Sequence, residues 1–254
     1  PAFFLYFGDT IYADRAPVYT TACEKRDQGN YVTAVKGFRK ALEMMADPQK
    51  WKWAPEYCNF GMGNALFDGN YFEGYTDKEG HKYQTPSYYF REVIKTNPKS
   101  RFLFEAHVKL AISLAEEGKL DEAQKAFDEA QAAIKAFKDK MMKVDAKYKH
   151  IADKYATMAV MGNARMLEKK ADGQKEADYN PALSKYKQSQ TDALTGKYPD
   201  VYADAVDGEL RVLVKMGELI AAKARAQDII EKFKQSPSPD LYRMLPGAHA
   251  VMGR

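Results

Sequence analysis

The chain has 254 residues, 29% of them charged, a formal net charge of +4 at pH 7 and two cysteines. Lysines and acids are interleaved rather than blocked, which gives no case for nucleic-acid binding, and no run approaches the roughly eighteen apolar residues of a membrane span. Cys23 and Cys58 have neither CxxC spacing nor the density of a disulfide scaffold, so they leave the compartment open.

The first stretch, PAFFLYFGDTIYAD, carries Phe3, Phe4, Tyr6, Phe7 and Tyr12. Its aromatic and β-branched content, broken at Gly8-Asp9, predicts a short extended N-terminal arm over residues 1–14. Such an arm either folds over the first helical pair or docks on a neighbouring subunit. A start at Pro1 rather than Met points to a processed segment upstream and to export.

From Arg15 onward the periodicity is helical, and one short phrase recurs between helical patterns. It stands as Gly29-Asn30-Tyr31, Gly69-Asn70-Tyr71, Gly118-Lys119-Leu120 and Gly217-Glu218-Leu219. Ala34, Phe38 and Ala41 follow the first marker, Ala123, Phe127 and Ala130 the third, and Ala222, Ala226 and Ile229 the last, at the same offsets each time. Steps of three and four place each set on one helical face. Ala22, Ala111 and Leu210 precede the same three glycines by a constant interval. A glycine turn between faces of small residues lets two helices approach closely, which predicts a helical hairpin at each marker.

The second unit carries an insertion, YTDKEGHKYQTP at 75–86, whose Glu79-Gly80 predicts a tight turn or small hairpin. Further on, a long second helix is expected to reach Met142, with Asp145 capping the next one. Met161-Gly162-Asn163-Ala164 reads as a first helix, KKADGQKEADYN as a loop, and Pro181 as the opening of a second helix. A final helix is expected from about Pro239, giving five helical pairs and one last helix.

The small-residue, Gly-x-Tyr, Ala and Phe positions, with Asp47-Pro48 and Asn97-Pro98 after second helices, resemble the tetratricopeptide repeat family. The likeness covers residues 15–48, 104–134 and 203–237, and its style is similar to repeats of bacterial envelope proteins. Successive markers Gly29, Gly69, Gly118 and Gly217 are 40, 49 and 99 residues apart, so the units are stretched against a family period of about 34. The resemblance implies an all-α, α-solenoid fold of about five hairpins forming one repeat domain over 15–254. In that family first helices line a concave groove; by position its lining here is Tyr19, Cys23, Arg26, Val108, Ile112, Glu116, Arg211 and Lys215.

Catalytic chemistry finds little footing. His81, His107, His150 and His249 have no second ligand at helical spacing, so neither a metal nor another cofactor is expected. Gly61 and Gly63 lack the Lys-Ser/Thr of a phosphate loop, and helix packing accounts for them better. Lys135, Lys138, Lys140, Lys143, Lys147, Lys149 and Lys154 interleave with Asp139, Asp145 and Asp153, which reads as a solvated face rather than a surface for an acidic partner.

The expected function is therefore protein–protein interaction without enzymatic activity. One form is a structural scaffold that assembles end to end, into an oligomer or filament, through the aromatic arm and Leu241, Met244, Leu245 and Met252 near the C-terminus. The alternative is a monomeric adaptor holding a peptide or protein in its groove. Tyr75, Tyr83, Tyr88 and Tyr89 of the insertion either serve an interface or cover their own hairpin.

Overall fold

The structure is a computed structural model that describes residues 17–47, 49–97, 100, 102–141, 147–237 and 239–253. The aromatic arm, Pro48, Pro98 and Asp145 lie outside these residues. The fold is all-α. In chain order the helices are α1 (Pro17–Asp27), α2 (Tyr31–Met44), α3 (Ala54–Asp68), α4 (Pro86–Thr96), α5 (Leu103–Glu116), α6 (Leu120–Met141), α7 (Lys147–Asp172), α8 (Asn180–Gly196), α9 (Pro199–Lys215), α10 (Leu219–Gln235) and α11 (Pro239–Met252). Between α3 and α4 the insertion forms an antiparallel ribbon, β1 (Tyr75–Thr76) with β2 (Lys82–Tyr83), in which Tyr75 faces Tyr83.

Two compact units make up the chain, Pro1–Ser113 and Leu114–Arg254, divided inside α5. Within each, successive helices pack on one another in a solenoid-like order: α1 on α2, α2 on α3 and α3 on α4 in the first, and each neighbour from α6 to α11 in the second. Alternate helices also touch, α1 with α3, α7 with α9 and α9 with α11, as stacked hairpins require. All twelve face positions named above are at most 3% exposed, from Ala22 and Phe38 to Ala226 and Ile229.

The turns have a common physical basis. At Gly29, Gly118 and Gly217 the backbone enters the left-handed region, with φ of 76°, 76° and 78°. There the next amide donates to the carbonyl five residues back, as Asn30 does to Lys25, Lys119 to Leu114 and Glu218 to Leu213. This double-bonded C-cap satisfies helix-end carbonyls that would otherwise be orphaned. In the second unit of the repeat, the left-handed residue is Asn70 (φ 59°) and not the expected marker Gly69 (φ −85°). Gly69 is required for space instead, since a Cβ there would lie 2.6 Å from the Tyr71 ring. A fifth cap of the same kind ends α8 at Lys197 (φ 58°), with Tyr198 donating to Ala193.

In the first unit the core is aromatic and alanine-rich, built from Tyr19, Phe38, Met62, Leu66 and their neighbours. Gly61 and Gly63 sit inside α3, where a Cβ would meet the Phe38 and Phe90 rings, so close helix packing does account for them. In the second unit α7 runs on to Asp172, into the stretch expected as a loop. Tertiary contacts hold that last turn: Lys169 Nζ donates to the carbonyls of Ala115 and Glu116 at 3.1 and 3.3 Å, and Lys215 Nζ reaches Asp172 at 2.7 Å.

Candidate functional site

Helix α7 carries two carboxylates that each gather two cations. Near its C-terminal end Glu168 is buried and accepts from Arg211 Nε and Nη2 at 2.8 and 2.9 Å, from Lys215 Nζ at 2.9 Å and from the Tyr186 hydroxyl at 2.7 Å. Burial pushes its carboxyl up, but the bonds from Arg211 and Lys215 outweigh burial and hold it down at about 2. Gly208 makes room for this arrangement, because a Cβ there would overlap the Tyr186 ring. Asp207 and Asp172 take the remaining donors of Arg211 and Lys215 at 2.7 Å each. Both cations are fully engaged, the two outer carboxylates stay partly exposed, and the cluster ties α7 to α8 and α9.

Nearer the start of α7, Asp153 meets Lys138 Nζ from α6 at 2.5 Å and Lys149 Nζ at 2.6 Å. Burial again opposes ionisation, and hydrogen bonds from both lysines hold the carboxyl below its usual range. Here the cations face an open groove of about 1180 Å³ between α6, α7 and α8, lined also by Gly196, Lys197 and Tyr198. Its floor is Ile134, Ala156, Ala159 and Val160, and its walls carry Lys135, Lys138, Lys149, Lys185 and Lys197 against Asp139, Asp153 and Asp192. Among the described residues Lys135 and Lys197 make no ion pair, and Lys185 reaches only Gln188 Oε1, at 3.2 Å. The Tyr198 hydroxyl is spent on the His150 carbonyl at 2.9 Å. So part of the lysine series read as a solvated face lines a concavity, while Lys154 pairs with Asp200 at 2.9 Å.

The residues expected to line a concave groove are dispersed in role. Tyr19, Val108 and Ile112 are buried, at 8%, 0% and 4% exposure, and present no surface to a ligand. Cys23 is a half-buried thiol outside any disulfide, packed against the core that holds Cys58, whose own thiol burial pushes up to about 12. Arg26 pairs with Asp27 at 2.9 Å, and Glu116 with Lys169 at 2.7 Å. Arg211 and Lys215 are committed to Glu168. Charge and packing inside the array consume what position alone would have assigned to a ligand.

Of the expected assembly residues, Met244 is buried against α9 and α10 together with Ala248 and Val251, which corrects its assignment to an exposed end. Leu245 is half-buried and Met252 is 38% exposed. The arm residues Phe3, Phe4, Tyr6, Phe7 and Tyr12, and the Leu241 side chain, lie outside the described residues. In the insertion, Tyr83 and Tyr89 are buried, Tyr75 stacks on Tyr83 with ring centres 6.0 Å apart, and Tyr88 alone of the four stays open. Tyr83 of the ribbon and Tyr89 of α4 both join the core of the first unit.

A second polar cluster closes the insertion turn. Asp77, Glu79 and His81 bring one potential metal-ligand atom each within 4.8 Å of one another. Asp77 Oδ1, however, accepts the Glu79 and His81 amides at 3.0 and 2.9 Å, and Lys36 Nζ stands 3.3 Å from its Oδ2. The lysine ammonium supplies the counter-charge a metal would bring, so turn closure explains these residues.

The groove was missed in the sequence because α6, α7 and α8 contribute lysines from distant positions, and no local pattern marks the floor they share. Among the described residues no helix is long and apolar enough to cross a membrane. The chain matches no protein-family model and no curated protein sequence.

Proposed function

We propose that the protein is a non-enzymatic, tetratricopeptide-like interaction scaffold that holds a segment of a protein partner in the α6–α8 groove. The observation that carries this reading is the groove itself, with an apolar floor and with Lys135 and Lys197 free of ion pairs among the described residues. A volume of about 1180 Å³ exceeds the 300–1,000 Å³ of typical small-molecule sites and fits a stretch of polypeptide. The repeated hairpin turns support the family likeness, and family likeness alone names no partner.

The test is site-specific photocrosslinking. A photoreactive residue at position 195, inside the groove, is expected to capture a partner from the native source that the same residue at position 40, exposed on α2, does not. Equal capture at both positions, or none at 195, removes the groove from the function.

Self-assembly is the second reading, and one observation favours it. Ile220 is 90% exposed beside Leu219 at 45%, an apolar pair at the start of α10. Covering this pair with a second copy would remove its apolar surface from water. If copies associate there, light scattering at high concentration will show oligomers that Ile220→Glu abolishes. A strict monomer, with and without residues 1–14, would eliminate this form of the scaffold.

A further inference from the structure

We infer that the segment the groove takes is acidic and amphipathic, with carboxylates for the lysine walls and small aliphatic side chains for the floor. This rests on the reading of the groove as the interaction site, and it adds the chemistry of the occupant. Among the described residues five lysines line the groove against three aspartates, and one of those aspartates, Asp153, is shared by Lys138 and Lys149. Lys135 and Lys197 are left without ion pairs among the described residues. Placing carboxylates among these ammoniums recovers attraction that the free protein leaves unused, and it speeds encounter at low salt.

The floor decides what the rest of the ligand must be. Ile134 and Ala159 are buried and back the floor, while half-buried Ala156 and Val160 supply the small apolar surface left open beside the lysines. A purely charged ligand would leave that surface wet. One alternating acids with Ala or Leu covers it, and the area so buried holds the complex together once charge has steered it in.

The same lining argues against a nucleic acid. Among the described residues no arginine lines the groove, so they do not supply the planar fork that grips phosphate in two places. Tyr198 is, among the described residues, its one aromatic lining residue besides His150, and at 3% exposure its ring offers little platform for base stacking. Asp139 and Asp192 would also repel a continuous phosphate chain, whereas a peptide can space its carboxylates around them.

Fluorescence anisotropy on the full chain tests the inference with three labelled probes. They are a twelve-residue peptide of repeating Glu-Ala-Leu, its Lys-Ala-Leu counterpart and a single-stranded oligonucleotide of similar length. The acidic peptide is expected to bind at least tenfold more tightly than the basic one and to weaken as salt rises. Lys135→Glu combined with Lys197→Asn is expected to cut its affinity about tenfold, with Lys223→Glu on α10 as the unaffected control. Asn is chosen at 197 because it tolerates the left-handed backbone there.

Circular dichroism of the double variant must match the parent for its loss to count. Should both peptides bind alike and Val160→Asp abolish both, the groove remains a peptide site and the acidic preference is overturned. Should no peptide bind while photocrosslinking at 195 still captures a partner, the inference fails and the functional reading stands. Tighter, lysine-dependent binding of the oligonucleotide would overturn the inference in favour of a nucleic-acid ligand.

Discussion

Glu168 and Asp153 are a carboxylate with two cations each, on one helix, and they do opposite things. The Glu168 side chain is 5% exposed and makes bonds to three other side chains drawn from α8 and α9. The Asp153 side chain is 29% exposed and leaves its lysines facing an open groove. What separates them is water: without it, an unmatched buried group costs several times what it does at the surface, so the buried Glu168 carboxylate has both oxygens bonded to cations. The Asp153 face carries spare lysines at little cost, and spare charge is what a partner can use.

The comparison breaks most directly at Glu168. Glu168→Gln should cost about 3 kcal/mol, the low end for breaking a buried ion pair, because Arg211 and Lys215 keep 41% and 31% of their side-chain exposure and can turn to solvent. Chemical denaturation of the two proteins measures it. Asp153→Asn should cost under about 1 kcal/mol by the same measurement, as expected of a partly exposed pair. Equal losses at the two positions would show that burial does not separate them.

Acid gives a related contrast. The folded Glu168 carboxyl is held at about 2, below its ordinary 4.5, so its contribution is fully present above about 4.5 and is lost as pH falls toward 2. Thermal melts should therefore fall steeply over that window in the parent and less steeply in Glu168→Gln. A parallel decline in both would mean that other carboxylates, such as Asp172, set the acid limit.

Smaller effects sharpen the picture from either side. Gly208→Ala forces the Tyr186 ring away from Glu168 and should cost about 1–3 kcal/mol by overpacking, read as a lowered melting temperature. Lys135→Ala, in the groove, should stay within about 0.5 kcal/mol of the parent, since an exposed lysine with no ion pair has nothing to lose. A larger loss would mean that the groove lysines are structural after all.

Much of the array was legible because its signals are local. A left-handed glycine and small residues at steps of three and four act within one or two turns of helix, so Gly29, Gly118 and Gly217, and faces such as Ala34, Phe38 and Ala41, could be read off directly. The same logic misplaced one residue at Asn70 and passed over Lys197, since a non-glycine left-handed cap carries no local mark. Arg211 and Lys215 were assigned to a ligand because position on a first helix says nothing about a carboxylate waiting on a neighbouring one.

The sequence by itself determined that the chain is all-α, that it alternates helices with glycine-centred turns, and which faces of those helices are apolar, because each follows from residue spacing shorter than one hairpin. Tertiary structure alone decided which charges are consumed and which are left over. Glu168 meets Arg211 and Lys215 across 43 and 47 residues of chain, and Lys138 meets Asp153 from a different helix. Only when the helices stack do the burial and the partners that fix each charge come into being.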